Sequence, residues 1–135
     1  VSQVSDAEMG AACIYHYQPI PVCSNQGFTT QRDQYGMCRP QGTWAHCMET
    51  AGVLKIKHSQ YPQGRTVTAI WQSWGEDNPS GNRNVTLHTG EMIELPLGVF
   101  LIDFDVWDRM LRAGDSFALA GMNGWKATRD DFVFI

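Results

Sequence analysis

No cysteine follows position 47 in this 135-residue chain, and no apolar run is long enough to make a helix that crosses a bilayer. The best stretch, LPLGVFLI, is broken by Pro96 and Gly98 and bounded by Glu94 and Asp103, far short of the roughly 18 residues a spanning helix needs. A membrane span is not expected. Charge is also scarce: charged residues make up 18% of the chain, against about 25% in ordinary domains. The formal net charge is -4 and the pI near 5.4, and Lys and Arg are scattered apart from Lys55 and Lys57. Without a basic stretch to neutralise phosphates, nucleic acid and anionic membranes are poor partners. The chain has no G-x-S-x-G elbow, H-E-x-x-H, P-loop, G-x-G-x-x-G or C-x-x-C. That removes the familiar forms of several hydrolases, zinc sites and nucleotide enzymes, and no cofactor or metal is expected.

What is present begins with four cysteines, Cys13, Cys23, Cys38 and Cys47. An even count confined to a Gly-, Pro- and Gln-rich stretch reads as two local disulfides, with three connectivities open. Disulfides imply an oxidising compartment, so a secreted, extracellular location is expected. The start at Val1, without Met, reads as a mature form whose leader is gone, and the NVT sequon makes Asn84 a glycosylation candidate. A hydrophobic content of 43% is ample for a core.

The pattern changes near residue 50. Before it, Pro19, Pro21, Gly27, Gly36, Pro40 and Gly42 punctuate a segment read as loops stapled by disulfides. Ser5 and Glu8 resemble a capping box that would start a short helix through Met9 and Ala12. After residue 50, apolar residues alternate. Leu54 and Ile56 oppose Lys55 and Lys57, and His58 continues their buried face. Val67, Ala69 and Trp71 oppose Ile70, YPQG at 61–64 reads as a hairpin loop, and Val85 with Leu87, GVFLIDF, SFALAG and DFVFI supply further strands. The expected fold is mostly β: one domain over 1–135, an antiparallel β-sandwich or barrel formed by 51–135. A disulfide-stapled, loop-rich segment over 1–50 would pack on it, with one or two short helices.

LIDFDVWD, residues 101–108, raises the question of a carboxylate site. Asp103 and Asp105, on one strand face about 6.5 Å apart, are near enough to share calcium or to act as acid and base on a glycoside. The competing reading makes them structural. Asp103 faces water and Asp105 caps a two-turn helix, with Trp107, Met110 and Leu111 on its buried side and Gly114 as its stop.

Two function classes remain. His16, His46, His58 and His88, with Glu49 and Arg65, would supply the acid–base and charge-stabilising groups of a small secreted hydrolase, most specifically a ribonuclease. Aromatics point the other way. Trp74 near Asn78, and Trp125 near Asn123 in GMNGWK, sit in turn-rich text and suit stacking on a sugar or anchoring a protein partner. The expected function is therefore binding: a secreted effector, virulence or toxin-like protein, or a lectin-like glycoprotein. It would recognise a protein or carbohydrate through Trp74, Asn78, Asn123 and Trp125, with catalysis as the alternative.

Overall fold

A computed structural model describes residues 2–3, 6–8, 20–72, 76–113 and 117–118. Its strands are β1 (Ser2–Gln3), β2 (Ile20–Phe28), β3 (Gln31–Arg32), β4 (Pro40–His58), β5 (Tyr61–Trp71), β6 (Ser80–Gly81), β7 (Asn84–Thr86), β8 (Met92–Glu94), β9 (Val99–Asp103) and β10 (Phe117–Ala118), with helix α1 (Phe104–Arg112) between β9 and β10. The chain is mostly β, as expected. Its main sheet is antiparallel, in the order β2-β4-β5-β9, and is not closed into a barrel. No helix among the described residues is long and apolar enough to cross a membrane.

Both faces of this sheet are dry, which explains why β9 reads as an unbroken apolar run. One face carries Ile20, Val22, Met48, Val53, Ile70, Phe100 and Ile102, covered by Val106, Trp107, Met110 and Leu111 of α1. The other carries Ile56, Val67, Ala69, Val99 and Leu101, covered by Met37, Val85 and Leu95. Strand alternation assigns the sides: Val67, Ala69 and the half-buried Trp71 go to the second cluster and Ile70 to the first, as the sequence pattern predicts. The outer edge of β9 is also occupied. Gly36 accepts from the Leu101 N–H at 3.0 Å and Cys38 donates to the Leu101 carbonyl at 2.9 Å.

Several expectations are corrected. Residues 20–28 and 40–50 are strand, not loop. Their Pro and Gly residues are tolerated because Pro40 opens β4, where its missing N–H costs little, and β2 shifts register at Ser24–Gln26 and Gln26–Phe28. YPQG lies inside β5: the turn is Ser59–Gln60, and His58 pairs with Tyr61. The surplus residues are absorbed by a bulge in which Gly64 takes φ +88°, a left-handed conformation that favours glycine. The cap of α1 is Asp103, whose carboxylate accepts from the Asp105 N–H at 3.4 Å; Asp105 is exposed in the first turn. The expected stop at Gly114, and all but residues 6–8 of the expected N-terminal helix, lie outside the described residues.

Cys23 and Cys47 are direct partners across β2 and β4 and form a disulfide. Cys38 does not join a second one. Its side chain turns inward from the edge of β9 into the α1-side core, and its thiol is free and buried; Cys13 lies outside the described residues. Burial pushes the Cys38 thiol up to about 11. Iodoacetamide at pH 7.5 is therefore expected to leave Cys38 unmodified in the native protein and to alkylate it in urea, since the thiolate is the nucleophile. Reducing the 24-residue Cys23–Cys47 link is expected to cost about 3 kcal/mol in urea titration. Fast native labelling of Cys38 would contradict its placement.

Candidate functional site

At the hairpin end of the β4–β5 ladder, beyond the second core cluster, polar and aromatic side chains from three segments converge. His58 ends β4 on the same face as Leu54 and Ile56, as its position in the alternation predicts, and is half-buried. Tyr35 arrives from a loop built by Asp33, whose carboxylate Oδ1 accepts from the Tyr35 N–H at 2.8 Å and the Met37 N–H at 2.9 Å. Gly36 completes that loop at φ +81°, and a Cβ there would press on Val85 Cγ2 at 2.9 Å. The Tyr35 and His58 rings stack at 4.0 Å between centroids, 27° apart. Tyr61 meets His58 edge-on at 5.1 Å.

Two sets of hydrogen bonds hold the pair. The Tyr35 phenol shares a 2.7 Å hydrogen bond with Ser59 Oγ, and this bond lowers its pKa from the ordinary value. The Gln60 N–H donates to His58 Nδ1 at 3.2 Å, and Arg65 Nη1 lies 3.2 Å from His58 Nε2. Arg65 Nη2 forms a 2.8 Å ion pair with Asp103, and the guanidinium covers Tyr61 at 4.8 Å. The Asp103 carboxylate thus caps α1 and anchors Arg65, and is half-buried rather than facing open water. His58 is held below its ordinary pKa first by burial and then by Arg65, against a smaller opposing pull from Asp33.

Above these bonds opens a cleft of about 350 Å³ bordered by Gln34, Tyr35, His58, Ser59, Asn84 and Thr86. Lys57 also lines it, with Ile56 and Val85 at its floor, so its rim carries amides, hydroxyls and one cationic residue, and no carboxylate among the described residues lines it. Val85, buried in the second core cluster, fixes Asn84 and Thr86 outward on either side of it.

Of the expected catalytic groups among the described residues, only His58 and Arg65 come together. Glu49 pairs with Trp71 at the opposite end of the ladder, nine residues or roughly 30 Å along the strand. His46 is exposed beside Trp44, His88 lies against Gly64 and Lys55, and His16 is outside the described residues. Among the described residues no group of three or more His, Cys, Asp or Glu is placed to hold a metal ion, and Asp103 is engaged by Arg65 and the helix cap. Of the expected ligand-binding residues, Asn78 is exposed away from this cleft, and Trp74, Asn123 and Trp125 lie outside the described residues. Asn84, singled out as a sequon, does line the cleft. Tyr35, Ser59, Tyr61, Gln34 and Thr86 carried no sequence signal as a group, because the hairpin, the distant Asp33 loop and β7 bring them together. No protein-family model matches the chain, and neither a curated protein nor a solved structure matches it.

Proposed function

We propose that this chain is a secreted, lectin-like binding protein whose ligand is a neutral glycan held in the Tyr35–His58 cleft. The observation that carries the reading is the stacked aromatic pair bordered by Gln34, Lys57, Ser59, Asn84 and Thr86, with no carboxylate among the described lining residues. A sugar ring has an apolar face that packs on an aromatic side chain and a rim of hydroxyls that pair with amides and hydroxyls. The cleft volume of about 350 Å³ falls at the small end of ligand sites. The Cys23–Cys47 disulfide is weakly compatible with an oxidising, extracellular setting.

The hydrolase alternative has one observation in its favour, the 3.2 Å approach of Arg65 to His58. Against it, both ring nitrogens of His58 already face donors, Gln60 N–H and Arg65. A general base needs a nitrogen aimed at the substrate proton. His58 offers its ring to the cleft and keeps its nitrogens for the protein.

The test is an array of neutral oligosaccharides probed at pH 7.5. The protein should come from a host that does not N-glycosylate, so that Asn84 is bare. Binding is expected, and Tyr35→Ala should weaken it about tenfold or more, the loss of one aromatic anchor. Tyr35→Phe, which keeps the ring, should retain most of it. A blank array together with RNA cleavage that His58→Ala abolishes would replace this reading with the hydrolase.

A further inference from the structure

We infer that the cleft is acid-gated: protonation of His58 breaks the contacts that hold its ring against Tyr35 and takes apart the aromatic border of the cleft. Its functional meaning rests on the binding reading above, whereas the switch itself needs no ligand.

The reason lies in what surrounds the imidazole. A neutral imidazole has one nitrogen that accepts and one that donates. Here the Gln60 N–H points at Nδ1, and the Arg65 guanidinium stands 3.2 Å from Nε2. The neutral ring therefore satisfies one of these donors at a time. An imidazolium satisfies neither: it sets two N–H groups against two donors and adds a second positive charge beside Arg65.

The other charged or titratable neighbours do not rescue it. On β9, Asp103 is tied to Arg65 by its 2.8 Å ion pair rather than to His58. In the loop, Asp33 favours the charged ring from a distance, while its Oδ1 is held by the backbone N–H groups of Tyr35 and Met37. Tyr35 and Tyr61 contribute ring contacts, and Lys57, the preceding residue on β4, is exposed and lines the same cleft, where it brings positive and not negative charge. Among the described residues no carboxylate bonds the imidazole. Burial and Arg65 accordingly favour the neutral form.

For a base whose pKa is lowered in place, the ordered arrangement is fully stabilised above the ordinary value of 6.5. It weakens as pH falls below that value toward the lowered one, because a ring swung into water takes the proton more readily. Tyr35 then loses its 4.0 Å partner, while its bond to Ser59 remains.

The experiment is an NMR titration from pH 8 to 4.5 of the full chain, following the His58 ring, the Tyr35 ring and the Trp107 indole, in wild type and in His58→Gln. The expected result is a His58 midpoint below 6.5, Tyr35 signals that move with that midpoint in wild type but not in His58→Gln, and a stationary Trp107. A His58 midpoint at or above 6.5 overturns the inference. So does a motionless Tyr35, a Tyr35 that titrates equally in His58→Gln, or a Trp107 that moves with the same midpoint and so reports global loss of structure. On the neutral oligosaccharide array, wild-type binding should fall by up to about tenfold per pH unit below the His58 midpoint, the limit for a single proton. An array that binds equally at pH 7.5 and 4.5 overturns the gating. One that is blank at both counts against the binding reading, and the NMR titration then decides the switch independently of it.

Discussion

Trp107→Ala is expected to lower stability by about 4 kcal/mol, the range for emptying a fully buried indole site, and to drop Tm by roughly 15 °C for a chain of this size. Among the described residues Trp107 is the largest fully buried side chain, and it lies in the core that joins α1 to the sheet. Its neighbour Phe104 packs at 5.8 Å between ring centroids. The helix follows β9 without a loop, so the cluster cannot close over the void without moving the strand that also carries Leu101 and Asp103. Trp107→Phe should cost far less, about 1 to 2 kcal/mol. It keeps most of the volume and removes an indole N–H that has no acceptor among the described residues. Urea titrations decide this: equal midpoints for the Ala and Phe variants would mean the site tolerates collapse and Trp107 is not central to that core.

Where apolar residues alternate, the fold is legible in the sequence. The alternation places Val67, Ala69 and Ile70 on their correct faces, and the helical spacing places Trp107, Met110 and Leu111 on the buried side of a helix. Legibility fails where a residue type reads as a breaker and the tertiary setting neutralises it. Pro40 sits at a strand start and Gly64 in a bulge, so β4 and β5 run through text that looks like turns. The cap of α1 is Asp103 rather than Asp105, and Asp103 also serves Arg65, a partner supplied by another strand. The cleft is the least legible part. Only His58, Arg65 and Asn84 stand out in the sequence, each for a different reason, and the loop that delivers Tyr35 depends on Asp33, an ordinary acidic residue in sequence.

The two dry faces of the sheet also predict two kinds of damage. Arg32→Met is expected to destabilise by about 3 to 5 kcal/mol, because it strips charge-assisted bonds from buried acceptors. The Arg32 side chain is fully buried. It donates to the Val99 carbonyl at 2.7 Å, the Gly81 carbonyl at 3.2 Å and Asp77 at 2.6 Å. These bonds tie the segment leading into β7 down to β9, and β7 carries Asn84 and Thr86 to the cleft. Asp77 is one-third exposed, so water replaces part of what is lost in Asp77→Ala. That variant should cost about 1 to 2 kcal/mol. An Asp77 variant as damaging as Arg32→Met would mean that the ion pair, not the backbone bonds, holds the segment. The Arg32 hydrogen bond holds the Asp77 carboxyl below its ordinary value of 3.8. Its contribution is therefore present above pH 3.8 and lost as pH falls through the lowered value. Asp77→Asn should flatten that acid limb while leaving the His58 transition in place. Because Arg32 acts on the cleft side of the sheet and Trp107 on the helix side, amide exchange in Arg32→Met should speed up first in residues 80–86. In Trp107→Ala it should speed up first in α1. Uniform acceleration in both variants would mean that the two cores melt as one unit.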